Sequence, residues 1–379
     1  MAEAERDAAL WSHWIQDAEP DMLRGHEGRV FDLAFNPVYS GQLASASDDN
    51  SVRLWQIADD DQREISKQTG VCNGHKDSVL RVTWHSEGRL LASASADTTA
   101  QLWRLPPEKV SIDSGLSDGD PIQTLQGHPE EVYACEFVGE NQLLTASVDC
   151  LFLWDLQSGA CLYQAPGSQQ PQTSGQAVPA RWQPGYVFSA KTQPGGSLVA
   201  TACSDGVLRV WDLRSQQLHT VCSLPLHEGM AAACAWDAHG HCLSSIATNG
   251  SITAMDMRTQ HTIWCTTASC GLRDCCHLPN DMDTVDDLVA AGTDGALHVY
   301  HHRENHGGIA QVHSCQPQPQ SLLCVNSSED GTLLASAGGA AKAGGLHHNA
   351  LDPQHHYSSM HDEDQYLIQI YSQGALTCV

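Results

Sequence analysis

The sequence predicts an all-β fold built from repeated units, on the basis of three observations. A stretch from Gly25 to Trp55 returns from Gly74 to Trp103 and again from Gly127 to Trp154. Within each copy, short runs with a period of two, such as Val30–Phe35, indicate β-strands. Turn-forming residues such as Asp48-Asp49-Asn50 separate these runs. Self-similarity at a fixed period is typical of repeat architectures, so the three copies together set the fold class.

Each copy carries a histidine, a serine or threonine, an aspartate and a tryptophan at matching places. The three sets are His26, Ser45, Asp49 and Trp55; His75, Ser93, Asp97 and Trp103; and His128, Thr145, Asp149 and Trp154. They resemble the WD-repeat family, whose four-stranded units form the blades of a β-propeller. The resemblance implies that the imidazole bridges the turn carboxylate and the hydroxyl, with the indole hydrogen-bonded behind them. The sets are therefore structural, because a hydrolase needs one nucleophile and not three copies of it.

The number of repeats follows from the length of the chain. Its 379 residues fit seven units of about 40 to 45 residues each. We therefore expect a single seven-bladed β-propeller of four-stranded antiparallel blades, with six or eight blades as the alternatives. The later repeats depart from the pattern, and their candidate residues are Thr201, Asp205 and Trp211; His227, Ser245, Asn249 and Met255; Ala290, Asp294 and Tyr300; and a seventh stretch from His313 through Leu333–Gly338 to Tyr366–Tyr371.

Several segments lie outside the repeats. Residues 1–24 precede the propeller, which is expected over residues 25–379. Residues 8–24 are expected to form an outer strand that closes the ring, with a short amphipathic helix over residues 4–15 as the alternative. Insertions are expected at about 58–70, 106–121, 165–185 and 339–364. The resemblance implies that the last two emerge on one face of the disc and the first two, which are acidic, on the other.

Composition narrows the class of partner. The net charge is −26, with 45 acidic and 19 basic side chains. Nucleic-acid binding depends on cationic contacts to phosphates, so no nucleic acid is expected, and a basic protein segment is the more natural counterpart. The alternative is that the charge only keeps the protein in solution. Fifteen scattered cysteines, a charged N-terminus and no apolar run of membrane-spanning length predict a cytoplasmic or nuclear protein with no membrane contact.

Three other clusters have chemical alternatives. Gly115–Gly119 has the G-x-S-x-G spacing of a nucleophile elbow, but that motif acts only on the strand-to-helix turn of an α/β-hydrolase. A His-rich insertion could bind Zn²⁺ or Ni²⁺, although its Ala/Gly/Ser-rich surroundings favour a polar loop; it contains His347, His348, His355, His356 and His361. Cys270, Cys275, Cys276 and His277 lie close in sequence, but adjacent cysteines make a poor zinc pair. We therefore expect no catalytic residue, metal ligand or cofactor.

The most consistent function is that of a non-enzymatic scaffold or adaptor, which presents its faces to peptide or protein partners within a multiprotein complex. The expected contact residues flank the first inner-strand valines or precede the turn aspartates, and they are Arg29, Phe31, Asp48, Ser78, Leu80, Glu131, Tyr133 and Ser204. A reader of basic, histone-like tails is one alternative. A propeller enzyme, or a metal-binding protein that uses the His-rich insertion, is another.

Overall fold

The computed structural model describes residues 20–39, 41–58, 66–105, 120–148, 150–166, 185–214, 219–278, 286–303, 308–314, 320–339 and 366–372. The regular elements within these ranges are all β-strands, and they form seven separate four-stranded antiparallel sheets. The expected fold class and the count of seven blades are thereby confirmed.

The first three blades are continuous in sequence. Blade 1 contains β2 (Val30–Phe35), β3 (Gln42–Ser47), β4 (Ser51–Gln56) and β5 (Lys67–Asn73). Blade 2 contains β6 (Val79–Trp84), β7 (Leu90–Ser95), β8 (Ala100–Arg104) and β9 (Gln123–Leu125). Blade 3 contains β10 (Ala134–Val138), β11 (Gln142–Ser147), β12 (Cys150–Asp155) and β13 (Cys161–Pro166).

Blades 4 to 6 follow the same order, from an inner to an outer strand. Blade 4 contains β14 (Val187–Thr192), β15 (Leu198–Cys203), β16 (Val207–Asp212) and β17 (His219–Pro225). Blade 5 contains β18 (Ala231–Trp236), β19 (Cys242–Ala247), β20 (Ser251–Asp256) and β21 (His261–Thr267). Blade 6 contains β22 (Leu272–Leu278), β23 (Asp287–Gly292), β24 (Leu297–Arg303) and β25 (Gly308–Ser314).

Blade 7 joins strands from distant parts of the chain. It contains β26 (Leu322–Ser327), β27 (Leu333–Gly338) and β28 (Ile368–Ser372), and its outer strand is β1 (Asp21–Leu23). Leu23 pairs with Ile368, and Asp21 pairs with Ile370. Each inner strand contacts the inner strands of the two neighbouring blades, and β26 contacts β2, so the ring is closed.

The core lies between the blades. Seven apolar clusters each span two adjacent blades; the one between blades 1 and 2, for example, includes Val52, Val79, Leu91 and Trp103. Removal of this apolar surface from water drives the packing of sheet against sheet. Leu23 of β1 belongs to the cluster between blades 7 and 1, so the closing strand contributes side-chain packing as well as hydrogen bonds.

The order of strands within a blade defines two faces of the disc. Successive antiparallel strands turn at alternate ends, so the turn between the second and third strands and the loop that enters each inner strand share one end. We call this end the upper face, and it includes residues 24–29 and 48–50. The other two connections form the lower face. Among the described residues no helix is long and apolar enough to cross a membrane.

Some boundaries differ from those expected. The insertion expected at about 58–70 lies within blade 1 and ends before residue 67, because Lys67–Asn73 pairs with β4 as the outer strand β5. His313 lies in β25 of blade 6, so blade 7 begins at Leu322. The helix alternative, the G-x-S-x-G segment and the His-rich insertion lie outside the described residues, as does Asp149.

Candidate interaction surface around the central channel

The four side chains singled out in blade 1 form one hydrogen-bonded chain. Trp55 Nε1 donates to Ser45 Oγ over 2.8 Å, and Ser45 Oγ lies 2.6 Å from His26 Nε2. His26 Nδ1 lies 2.8 Å from Asp49 Oδ2. An ionised carboxylate only accepts, so Nδ1 carries the proton and Nε2 accepts from the serine hydroxyl. Blade 2 repeats this arrangement with His75, Ser93, Asp97 and Trp103.

The electrostatics of the blade 1 set agree with a neutral histidine beside an ionised aspartate. Burial lowers the pKa of His26, although the hydrogen bond and charge of Asp49 oppose that effect. Burial disfavours the charge of Asp49, but the contacts with His26, Ser51 and the Glu27 N–H hold its pKa well below the usual range. Each hydroxyl and ring nitrogen is used within the set, so the arrangement supports the turn and leaves no activated nucleophile.

Blade 3 departs from this pattern at its histidine. His128 Nε2 lies 2.7 Å from Thr145 Oγ1, to which Trp154 Nε1 also donates. His128 Nδ1, however, lies 3.1 Å from the Thr98 carbonyl oxygen, in the turn of blade 2. The histidine therefore ties two blades together. Burial lowers the pKa of His128 to about 4, although the hydrogen bond to the Thr98 carbonyl and the charge of Asp97 act to raise it.

Blades 4 and 5 replace missing members with other side chains. In blade 4, Trp211 Nε1 donates to Thr201 Oγ1 over 2.9 Å, and Arg209 pairs with Asp205 at 2.5 Å. In blade 5, His227 Nε2 lies 2.8 Å from Ser245 Oγ.

In blade 5, Asn249 stands at the position of Asp49, and a serine hydroxyl lies next to the histidine. His227 Nδ1 lies 2.6 Å from Ser251 Oγ, whereas Asn249 accepts from the Ser251 N–H at 3.1 Å. The Ser251 hydroxyl thus takes the place that the carboxylate has in blades 1 and 2. In blade 7, Ser336 and Tyr371 both donate to Gln369 Oε1.

The upper face around the channel is formed by residues that the inner strands push out of register. In six blades the pairing of the first two strands shifts at the second inner-strand residue. Such a bulge re-aims the side chain that it carries. We call these residues the bulge ring, and they are Phe31, Leu80, Phe188, Ala232, Arg273 and Leu323. Phe31, Leu80, Arg273 and Leu323 are half-buried, whereas Phe188 and Ala232 are buried.

Four of the expected contact residues form one network between blades 1 and 2. The Arg29 guanidinium lies over the Phe31 ring, 5.0 Å from its centroid. Arg29 Nε also donates to Asp48 Oδ2 over 3.1 Å, and the Ser78 hydroxyl donates to the other Asp48 oxygen over 2.6 Å. Arg29 and Ser78 are 6% and 4% exposed and offer little surface, whereas Phe31 and Asp48 are half-buried. Leu80, on the next blade, is also half-buried.

Aromatic side chains cover the corresponding region of blades 3 and 4. The Tyr133 ring lies 5.4 Å from that of Tyr186 and 5.9 Å from that of Phe188, both edge to face. The Tyr133 hydroxyl donates to Glu131 over 2.5 Å. Tyr133 is only 8% exposed, so the accessible groups here are Glu131 and Tyr186. Ser204, which is also half-buried, accepts at its hydroxyl from the Tyr186 N–H.

Below the mouth, an arginine spans the channel. Arg81 Nη1 lies 3.1 Å from Asp32 Oδ1 and 4.0 Å from Asp274 Oδ1, and its Nη2 donates to the Phe188 carbonyl over 3.1 Å. Its partners belong to blades 1, 6 and 4, so one side chain from blade 2 joins four blades. Burial, opposed by the Arg81 charge and reinforced by Asp32, raises the pKa of Asp274 to about 6.

Carboxylates also join neighbouring inner strands. Asp32 accepts from the Val82 N–H at 2.9 Å, and Asp274 accepts from the Val325 N–H at 3.1 Å. Glu136 accepts from the Thr192 hydroxyl at 3.0 Å and lies 3.9 Å from Lys191 Nζ. Sequence reasoning missed this whole cluster. The available signal was a charged residue at the third position of the inner strand in each of blades 1, 2 and 6.

Comparison with known proteins places the repeats in a family. A family model described as "WD domain, G-beta repeat" matches residues 20–56, 66–104, 119–155 and 181–212. These segments cover blades 1 and 2, the first three strands of blades 3 and 4, and the closing strand β1.

Relatives are distant and cover part of each chain. The F-box-like/WD repeat-containing protein TBL1X of Mus musculus is 29% identical over 186 residues, which are 46% of this chain and 32% of the relative. Mitochondrial division protein 1 of Neosartorya fischeri is 29% identical over 256 residues, 58% of this chain and 37% of the relative. The CCR4-associated factor 4 homolog of Candida glabrata is 28% identical over 220 residues, 55% of this chain and 35% of the relative. The matched regions thus span about a third of the length of each relative.

The identification of the repeats does not depend on these relatives alone. Four segments match the repeat model, and the second half of the chain, which the model does not match, forms three further blades of the same four-stranded design. The hydrogen-bonded histidine, hydroxyl and tryptophan of the first three blades lie within the matched segments. The chain therefore carries WD repeats in its first four blades and folds as a seven-bladed β-propeller.

Proposed function

We propose that this protein is a non-enzymatic scaffold or adaptor that binds protein partners at the upper mouth of its channel. The observation that carries the proposal is the apolar part of the bulge ring, since Leu323, Phe31 and Leu80 occupy equivalent positions on the adjacent blades 7, 1 and 2 and remain half-buried. Apolar surface left open beside ordered charges is typical of a binding site, where a few anchors supply most of the free energy.

The chemistry of the rim suits an extended segment with an apolar anchor and basic flanks. Asp48 and Glu131 lie at the mouth with partly exposed side chains, and the net charge of the chain is −26. Complementary charge accelerates encounter and fixes orientation more than it adds affinity. Two of the distant relatives are an F-box-like/WD repeat-containing protein and a CCR4-associated factor homolog by name. These names favour a role as a subunit of a multiprotein complex.

Quantitative affinity purification from cell extracts tests the proposal. The double variant Phe31→Ser/Leu80→Ser is expected to retain the fold and to lose at least about tenfold in recovered partner, because both apolar anchors are removed. Val221→Ser is the matched control, since Val221 is 51% exposed on the outer strand of blade 4. Melting curves establish that all three proteins are folded.

The acidic connectors, which are expected on the other face, provide the competing outcome. If the double variant binds as the wild type does, and binding falls only when Asp59, Asp60 and Asp61 become Asn or when salt is raised, recognition belongs to the acidic connectors and the proposal fails. Loss of binding in Val221→Ser as well would also contradict it.

A further inference from the structure

Blade 6 lacks the hydrogen-bonded set of the first blades and has a different cluster at the same place. Ala290 stands where blade 1 has Ser45, and Tyr300 stands where it has Trp55, as the strand registers show. The Tyr300 hydroxyl is buried and has no hydrogen-bond partner among the described residues. Asp294, which matches Asp49, is retained in the turn.

Three side chains converge beside this aspartate. His298 Nε2 lies 3.1 Å from each carboxylate oxygen of Asp294 and 3.3 Å from Cys270 Sγ. One potential ligand atom from each residue lies within 4.8 Å of the others. His298 is 2% exposed, whereas the Asp294 carboxylate is 37% exposed, so the cluster is fixed by the core and open to solvent on one side.

The pairing of His298 with Asp294 does not by itself indicate a metal site, because Arg209 pairs with Asp205 at the same positions of blade 4. Two other features distinguish this cluster from an ordinary ion pair. Blade 1 has Gly28 where blade 6 has Cys270, and Ser47 where blade 6 has Gly292. A Cβ on Gly292 would lie 2.2 Å from Asp294 Oδ1 and 2.7 Å from His298 Nε2, so the glycine leaves room for the three groups to meet.

We propose that Cys270, Asp294 and His298 bind a Zn²⁺ ion, which fastens the loop before blade 6 to the turn of that blade. Thiolate, imidazole and carboxylate are the ligands that Zn²⁺ takes in proteins, and three protein ligands leave one position for water or another donor. A softer or harder divalent ion fits the mixed set less well. The ion takes over the role of the missing histidine, serine and tryptophan, since it links the same two segments of chain.

Metal content of the full-length chain tests the proposal. The histidines of the His-rich insertion are first changed together, as His347→Gln, His348→Gln, His355→Gln, His356→Gln and His361→Gln, so that they do not contribute. After loading with Zn²⁺ and dialysis, this protein is expected to retain about one ion per chain, and Cys270→Ser and Asp294→Asn in the same background are expected to lose it. Cys265→Ser is the matched control, because Cys265 is exposed on β21 and belongs to no cluster of three ligands among the described residues.

Two further measurements keep the test decisive. Asp294→Asn is expected to fold, because blade 5 has Asn249 at the equivalent position, and a melting curve checks this for each variant. Substitution with Co²⁺ is expected to give a thiolate-to-metal charge-transfer band that Cys270→Ser abolishes and Cys265→Ser preserves. Absence of retained metal in the insertion variant, or retention that is unchanged by Cys270→Ser, would overturn the proposal.

Discussion

At the scale of single residues, the hydrogen-bonded sets of blades 1 and 2 make buried polar atoms into structural supports. In blade 2, Asp97 accepts from His75 Nδ1 at 2.9 Å and from the Lys76 N–H at 3.0 Å. It also accepts from the Thr99 N–H and hydroxyl. One carboxylate therefore satisfies four donors from both sides of the turn, and its loss leaves several buried partners unpaired.

Asp97→Ala is accordingly expected to lower the free energy of unfolding by about 2 to 3 kcal/mol, since donors to a charged group lose their acceptor. Asn249→Ala is the matched control, and a loss of less than about 1 kcal/mol is expected there, because Asn249 Oδ1 accepts one hydrogen bond of 3.1 Å from the Ser251 N–H. Urea denaturation of both variants measures the difference. Equal losses would mean that packing, and not the carboxylate, holds these turns.

His227 provides the pH dependence at this scale. Burial lowers its pKa to about 4, from the usual value near 6.5, and its partners are the hydroxyls of Ser245 and Ser251. The unfolded chain therefore binds a proton before the folded chain does. The contribution of His227 to stability is present above pH 6.5 and is lost as the pH falls toward 4, by up to about 3 kcal/mol.

The variant His227→Gln is expected to show a shallower loss of unfolding free energy between pH 7 and about pH 4.5 than the wild type, because it has no group that titrates there. The comparison uses the slope against pH, so a uniform loss of stability in the variant does not disturb it. Parallel curves would show that His227 is not held neutral in the folded protein.

At the scale of elements, the ring is closed by the short strand β1 (Asp21–Leu23), which holds the edge of β28 in blade 7. Three residues make few hydrogen bonds, so much of the attachment comes from Leu23. This side chain is 3% exposed and packs in one cluster with Trp55, Ile368 and Ile370. The closure is thus a local contact that can open without disruption of the distant blades.

Leu23→Ser is expected to destabilise the protein by about 2 to 4 kcal/mol, as for other deletions of buried leucine side chains. The loss of amide hydrogen-exchange protection should be concentrated in β28 and β1, whereas blade 4 should keep its protection. Met22→Ser is the control, since Met22 is half-buried on the same strand. A uniform loss of protection around the ring would show that closure and the rest of the propeller unfold as one unit.

At the scale of the whole molecule, the architecture could be predicted because it depends on local and periodic patterns in the sequence. The spacing of His26, Ser45, Asp49 and Trp55 grouped side chains that the structure joins by hydrogen bonds. The seven-blade count was correct even where those residues are absent, since it followed from the length of the chain and the period of the repeat.

The parts that could not be predicted depend on residues far apart in the chain. Arg81 has no local motif, and its role arises only when the ring brings Asp32, Asp274 and Phe188 to it. Cys270, in the loop before β22, likewise meets His298 of β24 only in the folded blade 6. The contact of His227 with Ser251 was also not predicted, because alignment by position does not reveal that a serine two residues after Asn249 reaches the ring nitrogen.

The pairing of β1 with β28 also constrains how the protein is made. Every other blade is assembled from consecutive strands, whereas blade 7 must wait for Ile368–Ser372. Contacts between such distant residues carry a high loop-closure cost and form late. Until then, the inner strand β2 and the apolar side chains of Val30 and Trp55 lack the neighbours with which they finally pack. During translation, an unfinished ring therefore exposes aggregation-prone apolar surface at both ends. Chaperone binding is most useful in this interval.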